Sequence, residues 1–148
     1  MENKNKRLLA LDLGDSWVGV AHTDPSQTIA SPHTTWRNQK LIAELELYLK
    51  NNSVEKIILG LPLACSNKHS EQTKKVIATK TMLEEKFPAC EFIFINERLS
   101  SRHAMTMIHF HDMPLKKKGA RSAQEHSISE HSLVASLLLQ DYLNSIKN

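Results

Sequence analysis

The sequence is poor in the residues that cross-link a chain or anchor it in a membrane. Only two cysteines occur among its 148 residues, Cys65 and Cys90, and they form no CxxC pair. This pattern indicates neither a disulfide framework nor a cysteine-based zinc site. No apolar run approaches the ~20 residues that a membrane-spanning helix needs. The charged N-terminus also lacks the apolar core of a signal peptide, so we expect a cytoplasmic protein with no membrane partner.

The chain also lacks internal repeats, low-complexity tracts and Pro/Gly/Ser-rich linkers, and we therefore expect residues 1–148 to form a single domain. Hydrophobic residues make up 41% of the sequence and charged residues 24%, as is typical of globular proteins. The excess of positive charge is small, with a formal net charge of +3. A weakly basic chain of this kind is compatible with a polyanionic partner without requiring one.

Part of the basic charge is concentrated in one segment. Residues 112–126 contain one glycine, several serines and no helical apolar stripe, which predicts a flexible basic loop. The segment carries Lys116, Lys117, Lys118 and Arg121. A solvated surface loop and a phosphate-contacting segment are both consistent with this pattern.

The apolar periodicity predicts strands first and then strands that alternate with helices. Short alternating or buried runs predict strands at 7–13, 18–22, 32–35, 56–59 and 91–95. A tight turn at Gly14-Asp15 joins the first two, and Gly60-Leu61-Pro62 is expected to end the fourth. Helical spacing and capping residues predict a helix at 41–49 that Asn51-Asn52-Ser53 stops, helices at 70–87 and 100–109, and a last helix that begins with a capping box at 127–130. This order predicts an α/β fold, with a mixed central sheet of about five strands and helices on both faces.

Two carboxylates occupy corresponding places in their predicted strands. Asp12 interrupts an apolar run near the end of the first strand, and Glu97 comes just after the last strand. If these strands are neighbours, both carboxylates can point into one cleft, where they repel unless a cation or a shared proton intervenes. Oxygen ligands favour Mg²⁺, and two such ions can stabilise both the attacking and the leaving oxygen in phosphodiester cleavage. An ordinary turn or cap residue is the alternative at each position.

Four motifs together resemble a known family. The segments LLALDLGDSWVGVAHTDP, IILGLPL, INERLSS and LVASLLLQDYL are similar, in order and spacing, to the YqgF/RuvX-like family of pre-16S rRNA nucleases and Holliday-junction resolvases. The resemblance covers residues 7–144. It implies an RNase H-like fold and endonucleolytic hydrolysis of a nucleic-acid backbone with Mg²⁺ or Mn²⁺, in a site that can hold two metal ions.

The resemblance also implies roles for the residues at matching positions. Asp12 and Glu97 become catalytic, metal-coordinating carboxylates. Arg98 and Ser100 become candidates for contacting phosphate or for fixing Glu97. Gly60 either lets the backbone approach the substrate or metal closely, or simply serves a turn.

The chain departs from the family at the third acidic position. The family has an aspartate about nine residues before the glutamine of the last motif, and counting back from Gln140 gives His131. His131 can replace it as a nitrogen ligand, which Mn²⁺ accepts more readily than Mg²⁺, or as a base or proton shuttle. Alternatively, Glu130 supplies the missing carboxylate, or the site binds nucleic acid without cutting it. We favour His131 as a catalytic and metal-binding residue.

Several aromatic residues and histidines have weaker functional signals. Trp17 follows the turn after Asp12 and is the better candidate for stacking on a base, whereas Trp36 is at least as well explained by burial. His103, His109 and His111 cluster around the third predicted helix. The pair His109-x-His111 allows a zinc site, but no third ligand lies at a suitable spacing, and surface histidines explain the cluster better.

These features predict a metal-dependent endonuclease, a hydrolase acting on ester bonds. The expected substrate is pre-16S rRNA in ribosome biogenesis, with branched DNA in recombination as the alternative, and ribosomal precursor particles are potential partners. A monomer and a homodimer are both compatible with the sequence. The DLG motif also occurs in actin-like ATPases and sugar kinases, but one domain without a second phosphate motif cannot build their cleft. A non-catalytic nucleic-acid-binding module is the alternative that the loss of the third aspartate favours.

Overall fold

The computed structural model describes residues 5–62, 71–97 and 129–147, and these form a five-stranded sheet with helices on both faces. The strands are β1 (Arg7–Leu13), β2 (Trp17–Thr23), β3 (Ala30–Arg37), β4 (Val54–Pro62) and β5 (Glu91–Glu97). The helices are α1 (Leu41–Asn51), α2 (Glu71–Lys86) and α3 (Glu130–Ile146), and a short 3-10 turn, Asn38–Lys40, precedes α1.

The sheet is mixed, as predicted. Its strand order is β3-β2-β1-β4-β5, with antiparallel pairing from β1 through β2 to β3 and parallel pairing from β1 through β4 to β5. The hairpin strands therefore lie on one side of β1 and the crossover strands on the other. This is the α/β architecture of an RNase H-like fold, and it confirms the predicted fold class.

Two apolar layers cover the sheet. Alternate residues of β1 face opposite sides, so that Leu9 and Leu11 pack with α1 and α2, and Leu8 and Ala10 pack with α3. The apolar layer beneath α3 includes the small residues Ala21 and Ala135. Their short side chains let this helix lie close to the sheet. Among the described residues, no helix is long and apolar enough to cross a membrane.

The predicted end of β4 and the predicted start of α3 were both wrong. The strand β4 does not end before Gly60 but continues through Pro62, because Gly60, Leu61 and Pro62 pair in parallel register with β5. The cap of α3 is formed by Ser129, whose hydroxyl accepts from the Ser132 backbone N–H, while the Ser132 hydroxyl accepts from the Ser129 N–H. The serine at the third helical position replaces the glutamate of the usual capping box.

Three aromatic side chains pack together on the α1 face of β2 and β3. His22 Nδ1 and the Tyr48 hydroxyl are 2.7 Å apart, and the rings of His22 and His33 stack with their centroids 4.4 Å apart. Burial, with further repulsion from His33 and Arg7, lowers the pKa of His22 from 6.5 to about 4. Burial likewise lowers the pKa of His33 and raises the pKa of Tyr48 to about 12. All three side chains are therefore uncharged near neutral pH.

We expect the free energy of unfolding to decrease as the pH falls from 6.5 toward 4. In this range the unfolded chain binds protons on His22 and His33 that the folded chain does not bind, because both pKa values are lowered on folding. Urea unfolding at pH 7.0, 5.5 and 4.5 measures this dependence. His22→Gln is expected to reduce the slope, and an unchanged slope in that variant would contradict the assignment.

Candidate active site

Asp12 is a buried carboxylate in the middle strand of the sheet. It is 4% exposed and pairs across the antiparallel ladder with Gly19 of β2. On the other side, Leu11 pairs with Leu59, so that Gly60 is the next residue of β4 beside Asp12. Neither Gly19 nor Gly60 has a side chain that could cover the Asp12 carboxylate. Another segment of backbone can therefore come close to the sheet on either side of Asp12.

The alternation of β1 places Asp12 on the face that α3 covers, in line with Leu8 and Ala10. The first turn of α3 crosses this point of the sheet and brings His131 to the carboxylate. His131 Nδ1 is 4.0 Å from Asp12 Oδ2. The imidazole is 43% exposed and the carboxylate 6%, so that the pair is reached from solvent on the histidine side.

Gly19 determines how closely α3 can approach. A Cβ atom at position 19 would lie 2.0 Å from the His131 carbonyl oxygen and 2.2 Å from its carbonyl carbon. Such distances exclude any side chain there, because the obstacle is backbone that cannot rotate away. Gly19 is not among the predicted site residues, although a glycine inside an apolar alternating strand is the usual signal of a close backbone approach.

The turn between β1 and β2 forms another wall of the site. Gly14 N–H donates to the Trp17 carbonyl at 2.9 Å, which closes the turn as predicted. Lys75 Nζ donates to the Gly14 carbonyl at 3.0 Å, and Asn38 Nδ2 donates to the Asp15 carbonyl at 2.7 Å. Two elements outside the hairpin thus hold the turn in place.

Gly14 is a position of the turn where a side chain would be crowded. A Cβ atom added to it would lie 2.9 Å from the Trp17 carbonyl oxygen and 3.4 Å from Cε1 of His131. The contact that excludes a side chain is therefore the one with the turn's own Trp17 carbonyl, whereas the distance to the imidazole is close to an ordinary van der Waals contact.

Glu97 is the last residue of β5, where it pairs with Pro62 of β4. Because β4 lies between β1 and β5, the strands of Asp12 and Glu97 are not neighbours, and one strand separates the two residues in the sheet. Position 97 nevertheless follows Ile93 and Ile95, which pack on the α3 face, by the two-residue period of a strand. The side chain of Glu97 lies outside the described part of the structure, and its role stays a prediction.

Glu130 is the first residue of α3 and is exposed, next to the Ser129 cap. Of the two candidates for the missing acidic position, the structure brings His131 to Asp12. Trp17 is partly exposed at the start of β2, where the guanidinium of Arg37 lies 5.0 Å from its ring centroid. Trp36 is buried in the core, as expected.

The donor set fits a divalent cation. Asp12 and His131, whose Oδ2 and Nδ1 atoms are 4.0 Å apart, are the described residues that would hold such an ion, and the ion would supply positive charge at this point of the sheet. A carboxylate with an imidazole suits a transition metal better than Mg²⁺. No group of three His, Cys, Asp or Glu side chains in the described residues could hold a metal, and Glu97 is the predicted third protein ligand.

The remaining predicted contact residues lie outside the described residues. These are Arg98, Ser100, Lys116, Lys117, Lys118 and Arg121, together with the whole segment 112–126 and the histidines at 103, 109 and 111. Their predicted contacts with nucleic acid stay predictions.

The sequence is similar to one family over nearly its whole length. A family model described as "RuvX: Holliday junction resolvase" matches residues 6–145. A protein of Flavobacterium psychrophilum named "Putative pre-16S rRNA nuclease" is 34% identical over 138 residues, which is 93% of this chain and 96% of that protein. Proteins with the same name are 33% identical in Phocaeicola vulgatus, over 95% of this chain and 97% of that protein, and 35% identical in Caldanaerobacter subterraneus, over 96% and 99%.

Proposed function

Because this chain belongs to the RuvX Holliday junction resolvase family, we propose that it is a nuclease that hydrolyses the phosphodiester backbone of nucleic acid. The proposed substrate is pre-16S rRNA, the substrate named for the relatives above. A family match over residues 6–145 and relatives matched over more than nine-tenths of both chains support this proposal.

The observation that carries the proposal is the pairing of Asp12 with His131, at a distance of 4.0 Å, beside two glycines of the neighbouring strands. A buried carboxylate and a solvent-accessible imidazole can together hold a divalent cation. In this role Asp12 is the fixed ligand, since the central strand holds it. His131 is the more exposed ligand, which a substrate can reach from solvent. We propose that Glu97 completes the site from β5.

A bound Mn²⁺ or Mg²⁺ would supply charge stabilisation for the attacking and leaving oxygens of the phosphodiester. The residues of the chain would determine where that charge lies. Gly19 and Gly60 place no side chain beside the carboxylate, and the turn that contains Gly14 lies next to the imidazole. Trp17, which is partly exposed beside this turn, is proposed to stack on a base of the substrate.

The purified protein is expected to cleave an RNA that carries the 5′ precursor segment of 16S rRNA when Mn²⁺ is present, and more slowly with Mg²⁺. A four-way DNA junction, assayed in parallel, tests the activity that the family description favours. Chelation by EDTA serves as the control. Retained binding of the RNA without cleavage in either metal would instead establish a binding protein.

His131→Asp is expected to retain or raise the cleavage rate, with the larger gain in Mg²⁺, because it replaces a nitrogen ligand by the oxygen that Mg²⁺ prefers. His131→Asn introduces a side chain of the same size as aspartate but without its charge, and this variant is expected to lose activity in both metals. Cleavage rates of the two variants in Mn²⁺ and in Mg²⁺ test whether position 131 supplies a metal ligand. Equal loss of activity in both variants would show that position 131 does not supply a metal ligand.

A further inference from the structure

A second concave site lies on the opposite face of the sheet from Asp12. It is a cavity of about 320 Å³ between β3 and α1, a volume in the range of small-molecule sites. Its lining is rich in polar and aromatic side chains, which include His33, Thr34, Trp36, Glu44, Tyr48 and Asn51.

A bulge in β3 helps to build this cavity. Val20 pairs with Thr34 and Ala21 pairs with Pro32, so that His33 is an extra residue between two rungs of the ladder. Bulges redirect side chains and are frequent near functional sites. Here the His33 ring is brought to the α1 face, where it stacks on His22 and meets the Tyr48 ring edge-on, with centroids 5.5 Å apart.

Thr34 provides an independent sign of a ligand. The residue is 6% exposed, lines the cavity, and its Oγ1 is buried without a hydrogen-bond partner among the described residues. A buried hydroxyl without a partner is costly, and native structures have few of them. Because rotation about χ1 exchanges Oγ1 with the methyl group, Thr34 can turn its hydroxyl toward a bound molecule.

The remaining polar groups restrict the class of ligand. Glu44 offers carboxylate oxygens that only accept hydrogen bonds, and the amide of Asn51 both donates and accepts. None of the residues that line the cavity is a lysine or arginine, which disfavours a phosphate or another anion. The rings of His33, Trp36 and Tyr48 favour a flat, uncharged molecule that carries hydrogen-bond donors on one edge.

We propose that this cavity binds a guanine base, with Glu44 accepting from its Watson–Crick edge and the aromatic wall contacting its ring. Guanine has adjacent N1–H and N2–H₂ donors that match the two oxygens of a carboxylate, and Asn51 can donate to O6. Unpaired bases are commonly read in this way, by stacking on aromatic residues and by hydrogen bonds to the Watson–Crick edge.

The inference deepens the proposed function, because an unpaired guanine of the RNA substrate is the source that fits a nuclease. The cavity would then hold a part of the substrate away from the scissile bond. A free guanine nucleotide shares the same chemistry, and the experiment separates the two sources. Binding is measured without cleavage, so that failure of this inference and failure of the proposed nuclease activity give different results.

Tryptophan fluorescence is a direct readout. The chain has two tryptophans, and Trp17→Phe leaves Trp36, which lines the cavity, as the single reporter. Titration of this protein with guanosine is expected to give a saturable change in fluorescence, whereas adenosine, cytidine and uridine at the same concentration give at most a tenth of the affinity. No saturable change with guanosine, or equal affinity for all four nucleosides, would overturn the proposal.

Matched variants test the assigned contacts. Glu44→Gln is expected to weaken guanosine binding at least tenfold, because hydrogen bonds to a charged carboxylate are stronger than those to a neutral amide and because the amide of glutamine adds a donor opposite the donors of guanine. Glu46→Gln, an exposed position two residues along α1 that does not line the cavity, should leave the affinity unchanged. Equal affinities in these two variants would contradict the role of Glu44.

Thr34→Val separates a ligand contact from a purely structural role. The variant keeps the shape of the side chain and removes the hydroxyl that lacks a partner, so that its midpoint of urea unfolding should be equal to or above that of the parent protein. Guanosine affinity should nevertheless fall about threefold to tenfold. Unchanged affinity would show that Thr34 does not contact the ligand.

The source of the base is decided by comparing the trinucleotide UGU with GMP. Tighter binding of UGU, with UAU as the control, supports an unpaired guanine in a strand. Tighter binding of GMP supports the cavity as a guanine site and assigns it to the free nucleotide. If the parent protein cleaves RNA while none of these probes binds, the inference fails and the proposed nuclease activity stands.

Discussion

Asp12→Asn is expected to lower the cleavage rate by about 10²–10³-fold, the loss typical when one group that stabilises transition-state charge is removed. Asparagine has nearly the same shape as aspartate, and we expect the fold and the affinity for nucleic acid to be retained. The loss arises because a neutral amide holds a divalent cation far less well than a carboxylate does. Single-turnover cleavage of the precursor RNA in Mn²⁺, together with a binding assay in EDTA, measures both quantities.

Asp15→Asn is the matched control for this variant. It makes the same chemical change three residues farther along, at an exposed position in the turn. Its cleavage rate is expected to stay within about twofold of the parent protein, since exposed charges contribute little outside the site. Comparable losses in Asp12→Asn and Asp15→Asn would show that the effect is one of net charge rather than of the assigned site.

Gly19→Ala is expected to lower the free energy of unfolding by about 3 kcal/mol, the upper end of the cost of overpacking. The new Cβ atom would lie 2.0 Å from the His131 carbonyl oxygen, so that α3 must move away from the sheet. For a chain of this size, we expect the thermal midpoint to fall by about 6–12 °C. Because His131 moves with the helix, cleavage should also decrease at temperatures where the variant remains folded.

Gly14→Ala makes the same substitution in a less crowded place. Its Cβ atom would meet the Trp17 carbonyl oxygen at 2.9 Å and the His131 ring at 3.4 Å, and we expect a loss of about 1 kcal/mol. Thermal unfolding followed by circular dichroism compares the two variants. A Gly19→Ala protein as stable as the parent would refute the close packing of α3 on β2.

The strands could be predicted from the sequence wherever local pattern and tertiary pairing agree. The β1–β2 hairpin shows this, because an apolar run, a Gly14-Asp15 turn and a second apolar run specify it locally. The end of β4 could not be predicted in this way, since a segment with Gly60 and Pro62 resembles a loop when it is considered alone. Only the parallel register with β5 shows that the strand continues, and that partner lies far along the chain.

Only some residues of the candidate site could be predicted, because the local sequence does not show which distant elements meet. Asp12 stands out because a carboxylate interrupts an otherwise apolar strand and lies in the first motif of the resembling family. His131 could be placed only by counting from the last motif of a resembling family, since nothing in its own surroundings marks it. The need for Gly19 arises from a helix that follows far later in the sequence, and the bulge at His33 has no sequence signature.

The most direct test of the Asp12–His131 site is a double-mutant cycle on the cleavage rate. Asp12→Asn, His131→Asn and the double variant are compared with the parent protein on the precursor RNA in Mn²⁺. Residues that act as one unit show strongly non-additive losses. We therefore expect the double variant to be no more than about threefold slower than the slower single variant. A loss equal to the product of the two single losses would show that Asp12 and His131 act independently, and would contradict a common site.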